Sequence, residues 1–150
     1  MGLKMPLEEL QRVQQMLNTI PFMKSLTQPE IQEMAFQLTR RTFKKDETII
    51  KQGEPGTLFY LISKGKVVVI KEKFFKKILL ADLGVGEFFG EMALIDDFPR
   101  TATVMGAEPG EMYTLSHDAF ESVLLKNPQV KELIMQTAED RKKRNQALEA

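Results

Sequence analysis

The sequence contains no cysteine, no tryptophan and a single histidine, His117, in 150 residues. Without cysteine there can be no disulfide framework, thiolate nucleophile, zinc finger or iron–sulfur cluster. One histidine is too few for a three-histidine or facial-triad metal site. These absences favour a protein that binds rather than one that performs thiol or metal chemistry.

Charge of one sign is also lacking, because 21 Lys and Arg residues balance 21 Asp and Glu residues. A dedicated nucleic-acid-binding domain usually carries a basic excess, so this balance argues against one. The longest aliphatic runs, 67–70 and 78–81, are four residues each, whereas a membrane-spanning helix needs about 20 apolar residues. The start of the chain lacks the apolar core of a signal peptide. We therefore expect a cytoplasmic protein without a membrane span.

Helical periodicity occurs at both ends of the chain. Apolar residues spaced by three and four predict a helix over 7–20, and Pro21 stops it. Thr27 and Glu30 have the spacing of a capping box and predict a helix over about 28–38. Near the other end, Ser116 is a candidate N-cap for a short helix, and Asn127 with Pro128 predicts the start of a last one. The apolar face of that last helix comprises Val130, Leu133, Ile134, Thr137 and Ala138.

Between these helices the sequence reads as short strands separated by turns. Candidate strands lie at 42–43, 48–50, 58–62, 67–70, 78–80, 102–104 and 112–115, and turn residues at 53–56, 63–66, 84–86 and 108–110. Short strands with such spacing are typical of a sandwich or barrel. The predicted fold class is α+β, a β jelly-roll barrel flanked by N-terminal and C-terminal helices.

The most informative stretch is 84–103, in which three glycines occur within seven residues. Glycines let the backbone turn sharply and approach a ligand closely. A short helix is predicted to open at Glu91, directly after Gly90, and free amides at a helix start suit an anion. Arg100 follows at a position from which its guanidinium can bind a phosphate in bidentate fashion. A carboxylate such as Glu91 beside those amides suggests a hydroxyl pair, so the stretch indicates the sugar and phosphate of a nucleotide.

The segments 89–94 (FGEMAL) and 100–103 (RTAT) resemble the phosphate-binding cassette of the cyclic nucleotide-binding domain family. The segments 50–54 and 59–67 are similar to the early strands and turn glycines of that family. The resemblance covers roughly residues 25–138. It implies a cyclic nucleotide-binding domain over 25–138, preceded by an N-terminal helical segment at 1–24 and followed at 139–150 by the polar end of the C-terminal helix.

The resemblance also implies a role for each matching position. Arg100 would hold the cyclic phosphate, and Glu91 would accept a hydrogen bond from the ribose 2′-hydroxyl. Backbone groups close to the ligand would come from Gly90, Met92 and Ala93, and Thr101 would add a hydroxyl near the phosphate or base. The implied ligand-binding set is Phe89, Gly90, Glu91, Met92, Ala93, Arg100 and Thr101.

The function implied by the resemblance is regulatory, not enzymatic. The ligand would be cAMP or cGMP, with no cofactor, no metal and no nucleic acid. The last helix, near 133–137, would close over the base and transmit binding by a shift between open and closed states. The terminal helices could pair with a second copy of the chain or with a partner domain.

Several alternatives remain open for these residues. Arg100 could pair with Asp96 or Asp97, as a structural ion pair or in alternation with the phosphate. Glu91 could be a solvated residue of a helix start, and Thr101 could cap a strand. The whole chain could be an interaction domain of the same fold without nucleotide. A cupin-type metalloenzyme would need clustered histidine or carboxylate ligands that one histidine does not supply.

Other features favour plain structural roles. Gly53, Gly56 and Gly65 are interpreted as turn residues without ligand contact, and His117 as a surface residue of a first helical turn. The charged stretch 140–144 is expected to be a solvated helix end. The segment 71–77, with two phenylalanines among four lysines, could contact nucleic acid, anionic lipid or a partner domain. The simpler expectation is that one phenylalanine packs inward while the lysines are solvated.

Overall fold

The computed structural model describes residues 5–95 and 98–149, so Asp96 and Asp97 lie outside the description. Four α-helices flank antiparallel strands, which confirms the predicted α+β class. The helices are α1 (Leu7–Asn18), α2 (Gln28–Gln37), α3 (His117–Lys126) and α4 (Gln129–Glu149). The strands are β1 (Thr39–Phe43), β2 (Thr48–Ile50), β3 (Pro55–Gly56), β4 (Leu58–Lys73), β5 (Lys76–Leu83), β6 (Phe88–Phe89), β7 (Phe98–Pro99) and β8 (Thr103–Ser116). Two 3₁₀ turns complete the order, Pro21–Ser25 and Glu91–Leu94.

Two long strands, β4 and β8, pair with each other and organise the larger sheet. In that sheet β1 and β2 pair with β8, whereas β5 and β6 pair with β4. The separate two-stranded ribbon of β3 and β7 joins the residues around Gly56 to those before Arg100. The ribbon therefore places the segment around Gly56 beside the segment that leads to Arg100.

The predicted turns at 63–66 and 108–110 are wrong, because β4 and β8 run through them without reversal. The register of the β4–β8 pair shifts repeatedly between Ile62 and Val67. Gly65 lies in this irregular part with φ +81°, a conformation that glycine adopts without the steric cost of a side chain. The glycines and Pro109 thus mark bulges in paired long strands rather than chain reversals.

The predicted helix starts are largely confirmed. The Glu30 amide donates to Thr27 Oγ1 at 3.3 Å and the Thr27 amide donates to Glu30 Oε1 at 2.9 Å; the latter bond is the main cause of the lowered pKa of Glu30. Ser116 caps α3 by accepting from the Ala119 amide at 3.1 Å. Asn127 differs from expectation, because its side-chain amide donates to Ser25 O at 3.0 Å while its Oδ1 has no partner among residues 5–95 and 98–149.

The core consists of two apolar clusters on either side of the sheet. One cluster packs the helices against the sheet, and the other fills the space between the strands. Phe88 joins the first cluster and Phe89 the second, because neighbouring strand residues point to opposite faces. Leu133 was expected on the inward face of α4 but is 40% exposed. In α1, Glu9 is buried and accepts a hydrogen bond of 2.8 Å from the Tyr113 hydroxyl, which ties α1 to β8.

The β4–β5 hairpin ends in a turn formed by Phe74 and Phe75. Both residues have positive φ, 53° and 64°, where an L side chain costs about 1–2 kcal/mol per residue. Turns with two positive φ angles favour Asn-Gly or Asp-Gly. The side chains are 82% and 110% exposed, so the expectation that one of them packs inward is wrong.

None of the helices in the described part of the chain is both long enough and apolar enough to span a membrane.

Candidate functional site

The site is built around the sharp turn from β6 into the 3₁₀ turn Glu91–Leu94. Gly90 adopts the left-handed conformation, with φ 75° and ψ 25°. A β-carbon at Gly90 would lie 2.7 Å from Leu58 O and 2.9 Å from Arg100 Nη1. Glycine is required here because both the conformation and the space exclude a side chain. The Ala93 amide donates to Gly90 O at 3.1 Å, so this amide already serves the turn itself.

Arg100 is half-buried and held from several sides. Its Nη2 donates to Leu58 O at 2.7 Å. Its amide donates to Glu54 O at 2.8 Å and its carbonyl accepts from the Gly53 amide at 2.7 Å. Burial lowers the pKa of the guanidinium, and the nearby Tyr60 and Glu91 oppose this shift. The backbone of Arg100 is therefore fixed by the 53–56 segment while its charge faces the glycine turn.

Gly56 provides the space that the Arg100 guanidinium occupies. A β-carbon at Gly56 would collide with Nε and Cζ of Arg100. The interpretation of Gly56 as a turn glycine is therefore wrong, since it lies in β3 against β7 and its lack of a side chain lets Arg100 lie flat. Sequence reasoning missed this partner because no spacing rule connects positions 56 and 100.

Glu91 is buried and paired with an arginine from α4. Its side chain is not solvated: Oε2 lies 2.9 Å from Arg141 Nη1, and the residue is 6% exposed. Arg141 Nη2 also donates to Phe88 O at 2.7 Å, and Arg141 Cζ lies 4.2 Å from the centroid of the Phe88 ring. These three contacts join α4 to the turn through an ion pair, a carbonyl hydrogen bond and a cation–π contact.

Arg141 is the second functional candidate that sequence reasoning missed. The stretch 140–144 was expected to be a solvated helix end, and for Arg141 this expectation is wrong. It follows Ile134 by seven residues and Val130 by eleven, so it continues the buried face of α4 by two further helical turns. The helical period could have identified it as an inward-pointing residue.

The remaining predicted residues differ in how they face the site. The Phe89 side chain is buried and stacks on Tyr60, with ring centroids 4.6 Å apart. Met92 is half-buried and packs on the first core cluster, and Ala93 is buried. Thr101 is exposed directly after Arg100. Only backbone atoms of Phe89 are therefore left for a ligand, whereas the Thr101 hydroxyl is accessible.

The single histidine contacts the backbone of the Glu91–Leu94 turn. His117 begins α3 half-buried, with Nδ1 2.8 Å from Leu94 O, so the expectation of a surface residue is wrong. Across residues 5–95 and 98–149 no group of three His, Asp or Glu side chains is placed to hold a metal ion. The suggested pairing of Arg100 with Asp96 or Asp97 involves residues outside the description.

The arrangement as a whole can hold a small anion beside a hydroxyl group. Arg100 and the glycine turn offer positive charge and close backbone approach. The Glu91 carboxylate keeps Oε1 as an acceptor while Oε2 pairs with Arg141.

Comparisons with known proteins agree with this chemistry. The family model described as a cyclic nucleotide-binding domain matches residues 40–127, more than half of the chain. The chain is 33% identical over 108 residues to the cAMP-dependent protein kinase regulatory subunit of Hypocrea atroviridis, which covers 72% of this chain and 22% of that protein. It is 33% identical over 111 residues to the cGMP-dependent protein kinase of Eimeria tenella, which covers 73% of this chain and 11% of that protein.

The solved structures include the co-crystal structure of the regulatory domain of Toxoplasma gondii PKA with cAMP. It is similar with a TM-score of 0.77 at 24% identity, over 89% of this chain and 51% of that chain. The chain spans about a quarter or less of the length of the two curated relatives. From the family match, with the fold in agreement, the chain belongs to the cyclic nucleotide-binding domain family, which is regulatory rather than catalytic.

Proposed function

We propose that this chain is a sensor that binds cAMP or cGMP and passes the binding event to its C-terminal helix, without chemical change to the nucleotide. The observation that carries this proposal is the placement of the Arg100 guanidinium against Gly56 and Gly90, next to buried Glu91. A monoanionic cyclic phosphate needs one focused cation and a close backbone rather than a broad basic surface. The zero net charge of the chain is compatible with such a site.

The phosphate is proposed to bind between Arg100 and the Gly90 turn. One Arg100 nitrogen, Nη2, donates to Leu58 O, and the phosphate is assigned to the other donors of the guanidinium. Because its backbone is held by Gly53 and Glu54, little conformational entropy is lost when the phosphate binds. Gly90, Met92 and Ala93 contribute close backbone at this point, and for the Ala93 amide this requires sharing or releasing its bond to Gly90 O.

The ribose is proposed to bind at Glu91. A carboxylate offers about four lone-pair positions, and Arg141 uses Oε2. The ribose 2′-hydroxyl can then donate to Oε1 without displacing Arg141. A buried carboxylate paired in this way accepts a strong, charge-assisted hydrogen bond.

The base is proposed to lie between Thr101 and the 133–137 part of α4. Thr101 is accessible beside Arg100, and its hydroxyl can serve either a phosphate oxygen or a guanine edge. Leu133 is partly exposed in α4 and offers an apolar surface for a purine face. Both cAMP and cGMP fit these groups, and titration decides between them.

Transmission is proposed to run through the Arg141–Glu91 pair. A ribose hydroxyl on Oε1 would fix the rotamer of Glu91 and so favour the docked position of Arg141. Nucleotide binding and the docking of α4 are then positively coupled. Hydrogen exchange of the 137–149 amides should slow when nucleotide is added; faster exchange with nucleotide would contradict this direction of coupling.

Calorimetric titration of the chain with cAMP, cGMP, 5′-AMP and 5′-GMP tests the binding proposal. We expect at least one cyclic nucleotide to bind, and its linear counterpart to bind about tenfold more weakly or not at all, because a second phosphate charge and a free 3′-hydroxyl do not match a site with a single cation. The nucleotide recovered afterwards should be unchanged. Absence of binding to all four would favour the alternative, an interaction domain of the same fold without nucleotide.

A further inference from the structure

The tip of the β4–β5 hairpin, defined here as residues 71–77, combines three features that are unfavourable for an isolated domain. Phe74 and Phe75 occupy a turn at positive φ, which aromatic residues rarely adopt. Both rings are almost fully exposed to solvent. Lys73 lies directly opposite Lys76 in the strand register, and like charges facing each other across a strand pair are destabilising.

Two of these features, the exposed rings and the facing lysines, become favourable at an anionic lipid surface. The exposed rings would enter the apolar region, and the facing lysines would meet lipid phosphates. The spacing fits, because strand residues rise about 3.3 Å each. Lys73 and Lys76 thus lie one residue behind the rings and Lys77 two, within the depth of a headgroup layer of roughly 5–7 Å.

The end of α4 neutralises part of the positive charge of the tip. Two of its lysines are paired with Glu149, at 3.0 Å from Lys71 Nζ and 3.5 Å from Lys73 Nζ. Lys76 and Lys77 are exposed on the other strand of the hairpin. The tip therefore presents two lysines on β5, of which Lys77 lies opposite Glu72 in the strand register, in addition to a pair on β4 that shares the Glu149 carboxylate.

We propose that the 71–77 tip docks on an anionic lipid bilayer, with Phe74 and Phe75 inserted and the lysines in the headgroup layer. The apolar end and the lysines around it are complementary to a surface with an apolar interior and an anionic face. This docking is peripheral and needs no membrane-spanning segment. It rests on the hairpin alone and is independent of nucleotide binding.

The direct test is binding of the chain to vesicles of phosphatidylcholine with and without about 30% phosphatidylserine, at about 0.1 M salt. The expected partition onto the anionic vesicles is at least about tenfold higher, since two lysines near the surface each add roughly fivefold. Because the chain has no tryptophan, Phe75→Trp introduces a single tryptophan, whose emission should shift to the blue on those vesicles. Phe36→Trp, on exposed Phe36 of α2, is the matched control and should not shift.

The double variant Phe74→Asn with Phe75→Gly separates docking from folding. Asn-Gly suits a turn with two positive φ angles, so the variant should unfold at the same temperature as the wild type or higher. Vesicle binding should nevertheless fall by about tenfold or more, because the inserted area is lost. Lys76→Glu with Lys77→Glu should abolish the preference for phosphatidylserine.

Three outcomes would overturn the proposal. The first is equal binding to both vesicle types, which would remove the electrostatic part of the argument. The second is unchanged binding of the Asn-Gly variant. The third is absence of vesicle binding together with concentration-dependent self-association that the Asn-Gly variant abolishes, which would assign the tip to contact with a second copy of the chain.

Discussion

Two arginines reach the same glycine turn and make the same first contact. Arg100 Nη2 donates to Leu58 O and Arg141 Nη2 donates to Phe88 O, both at 2.7 Å. Their other contacts differ. Arg141 forms an ion pair with buried Glu91 and covers the Phe88 ring, whereas Arg100 lies over the bare backbone of two glycines.

Under the proposed function, Arg100 is the arginine that binds the phosphate and Arg141 is the arginine that holds α4. The arginine in contact with a carboxylate has its charge compensated and fixes α4 to the turn. The arginine over glycine backbone lies where side chains are missing at Gly56 and Gly90, with the Glu91 carboxylate as a nearby opposite charge. Substitution of each arginine, and of the glycine beneath Arg100, should therefore have different effects on nucleotide affinity and on α4.

The largest effect is expected from Arg100→Ala. Loss of one partner of a buried, charged hydrogen bond costs about 2–5 kcal/mol, which corresponds to a loss of cyclic nucleotide affinity of roughly 30-fold or more. Calorimetric titration measures it. Arg100→Lys is the matched variant, because it keeps the charge but not the bidentate geometry. Its cyclic nucleotide affinity should lie between those of the wild type and Arg100→Ala. Undiminished affinity in Arg100→Ala would disprove the phosphate assignment.

Gly56→Ala tests whether the space beneath Arg100 matters. The added methyl group would displace the flexible end of the Arg100 side chain rather than the backbone. We expect cyclic nucleotide affinity to fall about tenfold, or ~1.4 kcal/mol, with a small change in unfolding temperature.

Gly84→Ala is the control for this variant. Its added β-carbon would meet nothing closer than Lys66 Cγ at 3.9 Å, so binding should remain at the wild-type level. If Gly56→Ala and the wild type have equal cyclic nucleotide affinity, the position of the Arg100 side chain over Gly56 is not needed for nucleotide binding.

Residues of the site that are close in sequence were predictable, whereas their partners from distant segments were not. Gly90, Glu91 and Arg100 lie within one short segment, so their spacing carries information about the turn. The capping box of Thr27 and Glu30 was predictable for the same reason, since its partners are three residues apart.

Partners from distant segments were not predictable in this way. The contact of Gly56 with Arg100 depends on the pairing of β3 with β7, and that of Glu91 with Arg141 on the packing of α4. Long-range register decides both, and a single sequence does not encode it locally. The sequence prediction likewise divided each of the two long strands, β4 and β8, at its glycines. Glycine provides backbone conformations that other residues rarely adopt both at a bulge and at a turn, so its presence does not distinguish the two.

Arg141→Ala is expected to have a smaller effect on affinity and a larger one on α4. Removal of a charged hydrogen-bond partner leaves Glu91 buried without compensation, at a cost to folding stability of about 2 kcal/mol. Amides after 137 should exchange faster, and nucleotide affinity should fall about fivefold. Lys142→Ala, at an exposed neighbouring position, should change neither. If exchange in α4 stays as slow as in the wild type, Arg141 does not hold the helix.

The smallest effect is expected at the far end of α4, where Glu149 contacts Lys71 and Lys73. The hydrogen bond from Lys71 lowers the pKa of Glu149 below its usual 4.5. This contact therefore contributes fully above pH 4.5 and is lost as the pH falls through the lowered pKa. A negative charge at a helix C-terminus is itself unfavourable, so the benefit of the lysines is partly offset.

Glu149→Gln should accordingly increase amide exchange in the last turn of α4 by only about twofold at neutral pH, with unchanged nucleotide affinity. In acid, the protection factors of that turn, corrected for the slower intrinsic exchange at low pH, should fall in the wild type but not in Glu149→Gln, which isolates this carboxylate from Glu30 and Glu47, whose pKa values are also lowered. A loss of nucleotide affinity in Glu149→Gln would contradict the division of roles, because it would place the holding of α4 at its end rather than at Arg141.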